Sequence, residues 1–105
     1  HDALPIWVFV DAKYKIMPEL KFEKMSMSDQ YQQFAYAAAS EAKGAVFCYL
    51  GDSVQFLEST IYIRGKESNE VKIAVATIGF PKDGDLASWR NDSKLLIEKV
   101  RTLIA

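Results

Sequence analysis

The amino-acid sequence predicts an α+β domain, an antiparallel sheet of about five strands with two helices in the order β-β-α-β-β-β-α. Three observations predict it. Residues 54–80 alternate with period two on both sides of a polar turn, the pattern of a long hairpin. Ser26 to Lys43 has a capped start followed by good helix formers. Leu86 to Ile104 repeats apolar residues at helical spacing. At 105 residues, half of them apolar, the chain suits one domain, 1–105, with its own core.

Ile6-Trp7-Val8-Phe9-Val10 follows Pro5 and is β-branched and aromatic, so it reads as a buried strand that can run on through Asp11 to Ile16. Pro18 interrupts, because it cannot donate to a ladder. Leu20 to Met27 alternates again, with Leu20 and Phe22 opposed to Lys21 and Glu23, and predicts a second strand. Ser26 three residues before Asp29 has capping-box spacing, with Ser28 as the rival cap. In the helix that follows, Gln30 to Lys43, the stripe Tyr31, Phe34, Ala35, Ala38 and Ala42 is the predicted buried face, and Gly44 the predicted C-terminal stop. Ala45 to Leu50 is a short apolar run, read as a central strand ended by the turn Gly51-Asp52-Ser53.

In the hairpin, Leu57, Ser59, Ile61 and Ile63 share one face of the first strand. Phe56, Glu58, Thr60, Tyr62 and Arg64 share the other. Val71, Ile73, Val75 and Thr77 oppose Lys72, Ala74, Ala76 and Ile78 on the second strand. Gly65 to Asn69 supplies the turn. Asp85 is the expected cap of the last helix, with Leu86, Trp89, Leu96, Val100 and Leu103 as its inner stripe and Asn91-Asp92 as a site where it could kink. The element order is similar to that of profilin-like and longin-like domains. That likeness is one of topology, with no motif of either family, and it carries no function.

Chemistry is harder to place. Net charge is −1 and basic residues are scattered, so no nucleic-acid face is expected. Apolar runs such as Ile6 to Val10 fall far short of the roughly 20 residues of a membrane span. Cys48 is the only thiol and His1 the only histidine, so a Cys–His pair would need a chain terminus as its base. Cys48 alternates with Val46 and Leu50 and reads as a buried, unreactive hydrophobe. His1 alone makes a poor metal site. Asp83-Gly84-Asp85 starts like a calcium loop, but the twelfth position holds Lys94 where a bidentate carboxylate is required. The serines lack a His partner, no glycine loop cradles phosphate, and Glu58, Glu67 and Glu70 read as a solvated strand edge. No catalytic residue, metal or cofactor is expected.

What remains is surface. Glu58, Thr60, Tyr62 and Arg64 form a mixed face with a tyrosine beside an arginine, a common anchor pair in protein interfaces. The expectation is a non-catalytic protein-binding or accessory domain acting through a protein partner or as a homodimer. The alternative is a small-molecule carrier or sensor, with an apolar ligand held between sheet and helix near Phe34, Tyr49 and Trp89. An enzyme would have to work with carboxylates or tyrosines. The start at His1 fits either a removed export leader or a trimmed or tagged chain. Asp2-Ala3-Leu4-Pro5 looks like a mature start and tips the reading slightly toward a periplasmic or secreted protein.

Overall fold

The computed structural model of the chain describes residues 7–39, 42–64, 70–79 and 84–103. Strand β1 is Trp7–Ile16, followed by a 3-10 turn at Phe22–Lys24 and helix α1 at Met27–Ala39. Strands β2 (Ala42–Gly51), β3 (Gln55–Tyr62) and β4 (Glu70–Gly79) come next, and helix α2 (Leu86–Leu103) follows. The sheet has four strands in the order β1-β2-β4-β3. It is mixed: β1 and β4 both run parallel to β2, and only β3 is antiparallel to its neighbour β4. The expected five-stranded antiparallel sheet is therefore corrected on both counts, and with it the order on which the topological likeness rested.

The parallel pairing has a physical signature. Parallel strands joined by crossovers are covered on both faces, so they read as continuous apolar runs instead of alternating ones. On β2 and β4, Phe47, Tyr49 and Val75 face one layer with Met17, Met25 and Tyr36. Val46, Ala74 and Ala76 face the other, with Leu96, Val100 and Leu103 of α2. The sheet is thus sandwiched between α1 and α2. Phe47, Val46, Val71 and Val75 are fully buried, each worth roughly 1.5–3 kcal/mol of transfer free energy.

The expected strand at Leu20–Met27 is instead the 3-10 turn, closed by Met25 N–H donating to the Phe22 carbonyl at 3.1 Å. Leu20, Phe22 and Met25 all pack on the cluster around Phe47. A strand would send Phe22 and Met25 to opposite faces; a tight turn brings them to one. Ser26 is the cap of α1, its Oγ accepting from Asp29 N–H at 3.1 Å. The helix stops at Ala39, and Gly44 lies inside β2 opposite Lys72, so it is no C-terminal stop.

The predicted inner stripe of α1 is also corrected. Asp29, Gln33 and Ala37 are buried, whereas Tyr31 is 67 % and Phe34 49 % exposed. Gln33 Nε2 explains the inversion: it donates to the carbonyls of Ala45 at 3.0 Å and Ala74 at 3.1 Å, on two adjacent strands. Hydrogen bonds to otherwise buried groups thus orient the helix against its own hydrophobic pattern. On α2, Asp85 caps as expected, its Oδ1 accepting from Ser88 N–H at 3.0 Å. The helix runs unbroken through Asn91-Asp92. Leu96, Val100 and Leu103 pack inward, but Leu86 and Trp89 lie exposed.

The hairpin is present, with β3 and β4 in unbroken register from Gln55 opposite Thr77 to Tyr62 opposite Glu70. Its turn, 65–69, lies outside the described residues. To reach the far edge, the chain leaving β2 must cross the end of β4. Three residues, Asp52 to Val54, span the two inter-strand gaps of about 9.6 Å. Gly79 makes this possible: a Cβ there would lie 3.1 Å from the Asp52 carbonyl oxygen. Buried Thr77 then pins the crossing, its hydroxyl donating to the Ser53 carbonyl at 2.8 Å.

Candidate functional site

The residues singled out from the sequence lie on or just beyond β3, at one edge of the sheet. Alternation places Glu58, Thr60 and Tyr62 on the face that α2 also packs against, where Phe56 joins the buried cluster. Glu58 and Arg64 are exposed, and Tyr62 is 70 % exposed. Thr60 is half-buried, its hydroxyl accepting from Lys72 Nζ at 3.2 Å, while Lys72 also pairs with Glu70 at 3.5 Å. Arg64 falls two residues past the end of the strand. The opposite face of β3 carries Leu57, Ser59 and Ile61. Leu57 and Ser59 are exposed, because α1 packs over β2 instead. The matching face of β4, Val71, Ile73 and Val75, is by contrast buried.

A second constellation was not foreseen. Asp29, 3 % exposed, accepts bonds from Tyr49 Oη at 2.8 Å and from Lys15 Nζ at 3.1 Å. Lys13 Nζ lies 3.7 Å from the same carboxylate and 3.0 Å from Asp11. It also sits over the Phe47 ring, 4.7 Å from the centroid, and donates to Gln32. Burial alone would raise the Asp29 pKa, but the bonds from Tyr49 and Lys15 and the charge of Lys13 outweigh it and hold the carboxyl below its ordinary value. Burial and the Asp29 charge push the Tyr49 phenol upward. Burial also opposes protonation of Lys13, and Asp11 reverses that effect, leaving the ammonium held above its usual range.

Beside this network opens a cleft of about 400 Å³ lined by Lys15, Met17, Pro18, Lys24, Ser26 and Tyr49. The only sequence signal for it was the Asp11-x-Lys13-x-Lys15 alternation, which puts three charges on one strand face. Its partner Asp29 was read only as a capping-box residue. The carrier expectation named Phe34, Tyr49 and Trp89 around one cavity. Tyr49 belongs to the α1 side of the sheet and Trp89 to the helix on the opposite side, so they do not share one.

Cys48 is mostly buried between Ala12 and Ala76, and burial, aided by the Asp11 charge, pushes its thiol up to about 11. Among the described residues there is no group of three or more His, Cys, Asp or Glu placed to hold a metal. No helix among them is long and apolar enough to cross a membrane. His1 and Asp83 lie outside the described residues. No protein-family model, no curated protein and no solved structure matches the chain.

Proposed function

We propose that the chain is a non-catalytic protein-binding domain, acting through the β3 side of its sheet by way of Glu58, Thr60, Tyr62 and Arg64. One observation carries the reading. β3 is an eight-residue edge strand in unbroken register, and its two faces present Tyr62 at 70 % exposure and Leu57 at 37 %. A strand of this kind offers unpaired backbone donors and acceptors together with large side chains, the two elements of strand-addition recognition. Immobilised protein should retain its partner through this edge. Ser59→Pro would interrupt the strand there and Tyr62→Ala would remove an exposed anchor. Retention undiminished in both variants would exclude β3 as the binding side.

The cleft beside Tyr49 supports a weaker second reading, a small-molecule carrier or sensor. Its volume lies in the range of ligand sites. However, Asp29 and Tyr49 already satisfy one another there, and the cleft lies at the strand ends instead of between sheet and helix. A thermal shift with small acids or amines that vanishes in Tyr49→Phe would favour it.

A further inference from the structure

We propose that the occupant of the β3 edge is a second copy of this chain, paired antiparallel about a two-fold axis through Ile61. The inference rests on the protein-binding reading above and names its partner. Sheet edges are normally guarded by lysine, proline or a bulge. β3, Gln55-Phe56-Leu57-Glu58-Ser59-Thr60-Ile61-Tyr62, carries no lysine and no proline, and its register with β4 has no irregularity. An edge left open in this way is a template for another strand.

Charge decides in favour of a copy of itself. A two-fold axis perpendicular to the sheet keeps equivalent faces together, so facing residue numbers must sum to an even value. With Ile61 on the axis, Glu58 faces Arg64 of the second copy and Arg64 faces its Glu58. Thr60 faces Tyr62 in the same way, and the two Ile61 side chains meet on the uncovered face. Once residues 63–64, which lie just past the strand's end, join the ladder, Glu58 and Arg64 become two cross-strand ion pairs related by symmetry, and each exposed Tyr62 gains a β-branched neighbour. Moving the axis to Thr60 sets Glu58 against Tyr62 and Arg64 against Phe56, which loses both ion pairs. The result is a continuous sheet of eight strands, extended past Tyr62 to Arg64 in each copy.

Sedimentation equilibrium from about 1 to 200 µM tests this directly, with far-UV circular dichroism confirming that each variant is folded. Wild-type protein should dimerise within that range. Glu58→Arg alone places Arg against Arg, and Arg64→Glu alone places Glu against Glu, so each should weaken the dimer about tenfold or more. Mixing the two single variants makes every facing pair complementary, and so does combining both changes in one chain. Either should restore association. Wild-type protein that stays monomeric throughout overturns the second copy as partner. The protein-binding reading is judged separately, by whether Ser59→Pro and Tyr62→Ala abolish retention of another protein. Dimerisation untouched by the charge reversals, or single variants that do not rescue each other, overturns the Ile61 register.

Discussion

The two edges of the sheet are built differently. β1 is parallel to its neighbour, and its register with β2 shifts between Trp7 and Val8 and again between Ala12 and Ile16. Its α1-facing side carries Asp11, Lys13 and Lys15, and α1 leans over it through the Phe9–Tyr36 stack, ring centroids 5.1 Å apart. β3 has a regular register and no lysine, and among the described residues no strand pairs with its outer side. Irregularity and inward charge are how natural sheets discourage edge pairing. One edge of this molecule has those devices and the other lacks them. The helices repeat the asymmetry. α1 packs over β2 and leaves the Leu57 side of β3 uncovered, while α2 packs over β4 and β3 and leaves Val10, Tyr14 and Ile16 of β1 exposed.

The largest effect that would break this contrast lies under the guarded half. Phe47→Ala should destabilise by about 3–5 kcal/mol in chemical denaturation, because Phe47 is fully buried and is also the ring beneath Lys13. Next comes the anchor of the β1 lysines. Asp29→Asn should remove about 2 kcal/mol at neutral pH, since Tyr49, Lys15 and Lys13 all lose their charged partner. The sign of the pH dependence follows from the depressed folded-state pKa of Asp29. The stabilisation is complete above the unfolded value of about 3.9 and disappears as pH falls through the lower folded value. Melting temperatures between about pH 5 and pH 2 should therefore fall less steeply in Asp29→Asn than in wild type.

A smaller effect concerns how β3 reaches its edge. Thr77→Val keeps the shape but deletes the bond to the Ser53 carbonyl, and should cost about 1 kcal/mol. The smallest change sharpens the comparison most. Ser59→Lys gives β3 the guard that β1 already has. At an exposed position it should alter unfolding free energy by less than about 0.5 kcal/mol, while abolishing dimerisation in sedimentation equilibrium. A loss of stability of several kcal/mol instead would mean that β3 depends on its surface in the monomer.

Much of the fold was legible. The hairpin, both caps at Ser26 and Asp85, and the extension of the first strand to Ile16 follow from local pattern and are all present. The misread elements have separate physical causes. On β4, Lys72, Ala74, Ala76 and Ile78 were only set opposite Val71, Ile73, Val75 and Thr77, yet both faces of its central part are apolar, with charges only at Glu70 and Lys72 near one end. A strand so apolar on both faces belongs to the inside of a layered sheet. Leu20 and Phe22 alternate over too few residues to tell a strand from a turn. On α1, the apolar stripe suggested the wrong inner face, because the signal that overrode it was the side-chain amide of Gln33 reaching two strand carbonyls that the sequence cannot bring together. Of the candidate site, the face shared by Glu58, Thr60 and Tyr62 was readable from parity. That β3 would be an edge, and an unguarded one, was not.

By itself, then, the sequence determined much of what depends on residues a few positions apart: most of the strand and helix segments, though not the turn at Phe22–Lys24 or the end of α1, where helices begin, and which side chains share a strand face. These are set by backbone sterics, period and nearby hydrogen bonds. The tertiary structure alone decided the strand order, the parallel pairing and the inner face of α1. Each depends on groups distant in the chain, such as Gln33 and Ala74 or Asp29 and Tyr49, which meet only once the sheet has formed.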